Sequence, residues 1–92
     1  MNRVIIEILE MKGCPECHVM KKVLNDALSD IEHLRDKIEV VFLDLFEDNN
    51  RINELGMYRC PALAINGVIY FMGEIPGKEE LKSIIISEIV SR

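Results

Sequence analysis

The chain has no hydrophobic run approaching the roughly 18 residues that a membrane-spanning helix needs, no basic cluster beyond Lys21-Lys22, and few cysteines. The first absence excludes a spanning helix. The second removes the electrostatic footprint of a nucleic-acid binder: 11 basic residues face 16 acidic ones, and the net charge of −5 serves solubility. Cysteines number three, an odd count, and only two of them have disulfide spacing. A structural disulfide scaffold is therefore a poor reading, and a catalytic or metal-binding pair a better one. There is no second C-x-x-C and no H-x-x-x-H to complete a zinc site. Repeats, linkers and low-complexity stretches are also missing. Met1-Asn2-Arg3 enters a strand-like run broken by Glu7 and Glu10, without a small-residue cleavage site, so the expected compartment is the cytoplasm.

What is present is ordinary for a folded protein. Hydrophobic residues make up 49% and charged residues 29% of 92 positions, which bounds the chain to one domain, residues 1–92, with one small core. Residues 3–10 are largely aliphatic, as in a buried parallel strand. Val19, Met20, Val23, Leu24, Ala27, Leu28 and Ile31 then recur at helical spacing, opposite Lys21, Lys22, Asn25, Asp26 and Ser29. Ser29-Asp30 either ends this helix or bends it before Glu32-His33-Leu34-Arg35-Asp36.

Ile38 to Phe46 is a second β-rich run, and a strand, helix and strand of these lengths predict a parallel βαβ unit. Asp48 to Leu55 reads as a short helix capped by Asp48 and stopped by Gly56. Ala62-Leu63-Ala64-Ile65, Asn66-Gly67 and Val68-Ile69-Tyr70-Phe71-Met72 spell a hairpin, because Asn-Gly suits a type I′ turn. Pro76-Gly77-Lys78-Glu79-Glu80 opens a last helix with a stripe of Leu81, Ile84, Ile85, Glu88 and Ile89. The expected class is α/β, in the order β-α-β-α-β-β-α, with a four-stranded mixed sheet flanked by helices.

The chemistry centres on Cys14-Pro15-Glu16-Cys17, set between the first strand and the first helix. Thiols at i and i+3 on an opening helical turn share a face and are near enough to close a small disulfide ring. The first lies where backbone N–H groups point outward, which favours thiolate over thiol. Pro15 suits the first turn, where its missing N–H costs nothing. Cys14 is thus the expected nucleophile, opposed electrostatically by Glu16, and Cys17, one turn in, the more buried resolving thiol.

Strand-then-helix context around C-x-x-C resembles the thioredoxin superfamily in its minimal, glutaredoxin-sized form, of the small archaeal and bacterial type. Gly56-Met57-Tyr58-Arg59-Cys60-Pro61-Ala62, followed by an apolar strand, is similar to that family's Gly-Ile-x-x-x-Pro-Thr segment. Gly73-Glu74-Ile75-Pro76-Gly77-Lys78-Glu79-Glu80-Leu81 is similar to its glycine-then-helix end. The resemblance implies a thioredoxin-like fold, a cis Cys60–Pro61 peptide bond, and a loop that faces the cysteine pair. It also implies a protein disulfide oxidoreductase, with Pro15, Cys60 and Pro61 contacting substrate and with the backbone at Cys60 offering an edge for β-like pairing. Protein disulfides and an unidentified reductase are the implied partners. No cofactor, resident metal, nucleic acid or membrane is expected, and the expected state is a monomer.

Several positions depart from the family pattern. Ile8 stands where thioredoxins bury an acid, Gly13 where they carry tryptophan, and Ala62 where threonine follows the proline. Toward glutaredoxins, Glu16 replaces an aromatic, and Met72-Gly73-Glu74-Ile75-Pro76 does not reproduce the glutathione grip. The alternative to an enzyme is a metal-binding or redox-sensing module on the same fold, with Cys14, Cys17, Cys60 and a histidine as ligands. Cys14 to His18 also matches the C-x-x-C-H haem pattern literally, but haem attachment goes with export. His18 reads as a helix-surface residue, and Lys12 as either a surface lysine or an attractor of anions toward Cys14. Cys60 has three readings: a small apolar filler, a third redox thiol, or a metal ligand.

Overall fold

The computed structural model describes residues 2–91. Strand β1, Val4–Glu10, pairs in parallel with β2, Ile38–Asp44, from Val4 opposite Ile38 to Glu10 opposite Asp44. Helix α1, Pro15–Asp30, and a short 3₁₀ helix, Glu32–Lys37, connect them. Helix α2 spans Asn49–Leu55, strands β3, Ala62–Ile65, and β4, Val68–Met72, form the hairpin, and α3 runs Lys78–Val90. The sheet order is β2-β1-β3-β4, with β3 antiparallel to both neighbours. This is the mixed α/β architecture expected.

The two faces of β1 serve different layers. Val4, Ile6 and Ile8 pack with Met20, Leu24, Ala27 and Leu28 of α1 and with Leu81, Ile85 and Ile89 of α3. On the other face Leu9, Leu43, Ala62 and Ala64 meet Ile52 of α2 and Met57. Helices therefore cover both faces, and removing this apolar surface from water drives the assembly. Glu7 points into the α2 face and is only 6% exposed. Its carboxylate accepts two hydrogen bonds from the Arg51 guanidinium, at 2.7 and 2.8 Å. That two-pronged pair keeps a charge tolerable inside an apolar layer.

Local chemistry explains the boundaries. Asn66 and Gly67 have φ of +52° and +81°, as a type I′ turn requires. The Asn66 side chain accepts the Ile5 N–H at 2.9 Å, and the Asn66 backbone N–H donates to the Ile5 carbonyl, tying the hairpin to β1. Gly56 takes the left-handed φ of +83° after α2. Helix α1 ends at Asp30, because Ile31 leaves the helical region and turns inward, and the 3₁₀ helix follows.

Two expectations need correction. Strand β2 stops at Asp44 instead of Phe46, since the Asp44 carboxylate accepts the N–H groups of Phe46 and Glu47 and turns the chain. Phe46 is left 85% exposed. Asp48 precedes α2, but its carboxylate accepts the Asp44 N–H at 2.7 Å and does not cap the helix. Among the described residues, no helix is long and apolar enough to cross a membrane.

Candidate active site

The site lies at the carboxyl end of β1. Gly13, at φ +78°, turns the chain out of the strand, and Cys14 follows in extended conformation as the residue before α1. Its N–H donates to the Met11 carbonyl at 3.3 Å, and its carbonyl accepts the Cys17 N–H at 3.2 Å. Pro15 is the first helical residue, exposed to solvent, where no donor is needed. Cys14 is half-exposed, whereas Cys17 lies on the inner side of the first turn and is 3% exposed. The expected contrast between an outer and an inner thiol is present.

The second arm of the site is the loop between α2 and β3. The Cys60–Pro61 bond is cis, Pro61 is buried, and its carbonyl accepts the Gly73 N–H at 2.7 Å. Cys60 is half-buried with its Sγ 3.6 Å from Cys14 Sγ. All three cysteines are free thiols, and their sulfurs lie within 4.8 Å of one another. Cys60 therefore lies in direct contact with Cys14. His18 is exposed, and among the described residues no histidine joins the three sulfurs.

The electrostatics separate the three sulfurs. Cys14 is held below its ordinary thiol value, chiefly by a hydrogen bond from the Cys17 thiol. The Cys17 N–H and the Cys60 thiol add to this, while partial burial and Glu16 oppose it. Cys17 is pushed up to about 12, first by burial and then by its hydrogen bond to Cys14. Cys60 is also raised, mainly because its thiol donates to Cys14 once Cys14 ionises. The negative charge thus collects on Cys14, one of the two half-exposed sulfurs. The neighbouring thiols act as donors to it, a contribution that the helix-terminus argument alone omits.

An open groove of about 450 Å³ runs beside Cys60, lined by Leu9, Met11, Leu45, Met57, Tyr58 and Arg59. Met57 is buried while Tyr58 is 79% exposed, so the first forms the floor and the second a rim. Leu9, Met11 and Leu45 belong to no motif, and Arg59 fills a variable position of the segment before Pro61. Their common signal is position, at the carboxyl ends of the parallel strands and in the loop before the proline. Lys12 lines the same surface depression as Asp44. Asp44 lies below the usual carboxylate range, first through the N–H groups of Glu47 and Phe46, with Lys12 adding. Ile8 is buried in the core between the sheet, α1 and α3, so that position carries no carboxylate.

Comparison with known proteins agrees with this geometry. Residues 4–86 match the family model described as "Thioredoxin domain". A "Probable Thioredoxin" of Methanothermobacter marburgensis is 37% identical over 86 residues, covering 94% of this chain and 96% of the relative. A "Thioredoxin" of Methanocaldococcus jannaschii is 31% identical over 81 residues, covering 88% and 91%. In fold, the chain superposes on a mutant thioredoxin from Halobacterium salinarum with a TM-score of 0.72 and 17% identity, covering 99% of this chain and 78% of the other. Thioredoxin-2 of the malaria parasite gives a TM-score of 0.74 at 15% identity, covering 94% and 84%. With a cysteine pair at the strand–helix junction and a cis-proline loop against it, the chain belongs to the thioredoxin family of thiol–disulfide oxidoreductases.

Proposed function

We propose that Cys14-Pro15-Glu16-Cys17 is the working dithiol of a protein disulfide reductase. The observation that carries this reading is the split between a half-exposed Cys14 with a lowered pKa and a buried Cys17 held protonated beside it. Cys14 thiolate attacks one sulfur of a substrate disulfide, forming a Cys14–substrate disulfide and expelling the other substrate sulfur as thiolate, which takes up a proton. Cys17 then loses its proton and attacks Cys14 Sγ. The products are the Cys14–Cys17 disulfide and a second reduced substrate thiol. Electrons return from an external reductase, and the cycle needs no cofactor within the chain.

The causes of the Cys17 shift supply an order to these steps. Its hydrogen bond to Cys14 and the Cys14 charge both raise it. Both influences vanish when Cys14 enters a mixed disulfide, so Cys17 becomes easier to ionise at the moment it must act. Before that moment it stays a thiol and stabilises its partner. With Ile8 where thioredoxins bury an acid, the proton leaves Cys17 through water or a substrate group.

Substrate engages Pro15 and the backbone at Cys60, which the buried cis Pro61 holds in place, with the groove floor at Met57 and Leu9 taking apolar side chains. We further infer a single-domain cytoplasmic monomer. Coverage of both sheet faces by the chain's own helices supports that state. The test is reduction of a protein disulfide by the purified chain with a regenerating reductant. Cys14→Ser should abolish turnover, and Cys17→Ser should accumulate a mixed disulfide. Normal turnover by Cys17→Ser would overturn the dithiol mechanism.

A further inference from the structure

Cys60 brings a third sulfur to a chemistry that needs two. We propose that the reduced Cys14, Cys17 and Cys60 trio is a three-sulfur site for a thiophilic d¹⁰ cation, with Zn²⁺ as the representative, and that the bound ion caps Cys14 and halts disulfide exchange. The site rests on geometry alone, and the capping rests on the reading of Cys14 as nucleophile. Three Sγ atoms within 4.8 Å come from two separate segments, the start of α1 and the loop before β3. Tetrahedral zinc with Zn–S bonds of about 2.3 Å sets its sulfurs about 3.8 Å apart. Cys14 and Cys60, at 3.6 Å, already stand at that separation. The widest pair needs to close by about 1 Å, within reach of side-chain rotation.

The donor set selects the ion. It contains sulfur only, which suits zinc and copper(I) and is wrong for magnesium and calcium, which take oxygen ligands. Cys14 and Cys60 are half-exposed, so an ion can enter from solvent and complete a fourth position with water or a small thiol. Binding is ligand exchange without electron transfer: Zn²⁺ takes three thiolates, and each bound thiol gives up its proton to solvent. The Cys14–Cys17 disulfide removes two of the three ligands. Metal binding and oxidation are therefore mutually exclusive, and the ion reports and protects the reduced state.

The test uses the whole protein, reduced with a phosphine and freed of metal, titrated with Zn²⁺ against a chromophoric chelator. One ion per chain is expected. Cys60→Ala and Cys60→Ser should each weaken binding by at least about 100-fold, the upper end of what losing a mere hydrogen-bond partner of a ligand costs. Co²⁺ in place of zinc should show a thiolate charge-transfer band that is weaker in both variants. Disulfide reduction is measured with and without one equivalent of Zn²⁺, and the ratio is read within each protein. That ratio should fall steeply in the native chain and stay near one in Cys60→Ala. Unchanged affinity in both Cys60 variants, no binding by a chain that reduces disulfides, or one ion shared by two chains overturns the site. Zinc that binds without slowing reduction overturns the capping. Cysteine-dependent zinc binding in a chain whose Cys14→Ser variant still reduces disulfides upholds the site while sinking Cys14 as nucleophile.

Discussion

Alkylation of the reduced protein at neutral pH should discriminate sharply between Cys14 and Cys17. Cys17 is pushed from 9.0 to about 12, which lowers its thiolate fraction about 1000-fold relative to an ordinary thiol. A more basic thiolate is also a better nucleophile, by about 15- to 30-fold over that span. The first effect wins, leaving Cys17 roughly 30- to 60-fold slower than an ordinary cysteine. Burial to 3% exposure slows it further, while Cys14 gains from its lowered pKa and its exposure.

Sub-stoichiometric iodoacetamide followed by peptide mapping should therefore find label on Cys14 at least about 30 times more often than on Cys17. In Cys14→Ser the charge that raises Cys17 is gone, so Cys17 should react faster than in the native chain. Conversely, Cys17→Ala removes the chief donor to Cys14 and should raise the pH at which Cys14 begins to react. Comparable labelling of the two cysteines, or slower reaction of Cys17 in Cys14→Ser, would refute the electrostatic coupling.

Leu24 is fully buried between α1, α3 and the sheet, so Leu24→Ala should lower stability by about 3–4 kcal/mol in urea unfolding, and a loss under about 1 kcal/mol would contradict its place in the core. Gly56→Ala puts a side chain into open space at φ +83°, so only the backbone conformation opposes it, and about 1–2 kcal/mol should be lost in the same assay. Asp30 accepts hydrogen bonds from Lys78 and Lys82 of α3, which hold its carboxyl below the ordinary 3.8. Such a depressed carboxyl contributes stability above its unfolded pKa and loses it as pH falls through the folded value. Asp30→Asn should accordingly melt lower than the native chain at pH 7, and the difference should vanish well below pH 3.8.

The legible parts of this chain were those whose cause is local. Asn66-Gly67 names its own turn, Gly56 its left-handed stop, and Cys14-Pro15-Glu16-Cys17 its place at a helix start. The obscure parts depend on contacts between distant segments. Glu7 reads only as a break in an apolar run, and its buried role depends on Arg51, 44 positions away. Phe46 extends an apolar pattern that Asp44 terminates by folding its carboxylate onto the next turn. Ile31 continues the helical stripe but is buried by leaving the helix. Cys60 was visible as an oddity, yet its 3.6 Å approach to Cys14 arises only when the loop before β3 lies against the start of α1.

Mapping the disulfide formed on mild oxidation tests the central claim most directly. The reduced chain is treated with an equimolar disulfide oxidant, quenched in acid to stop exchange, blocked, digested and sequenced by mass. A single Cys14–Cys17 bond that a dithiol reverses is expected, with Cys60 recovered as a free thiol. A protein that forms no intramolecular disulfide, or one whose principal bond joins Cys14 to Cys60, would contradict it.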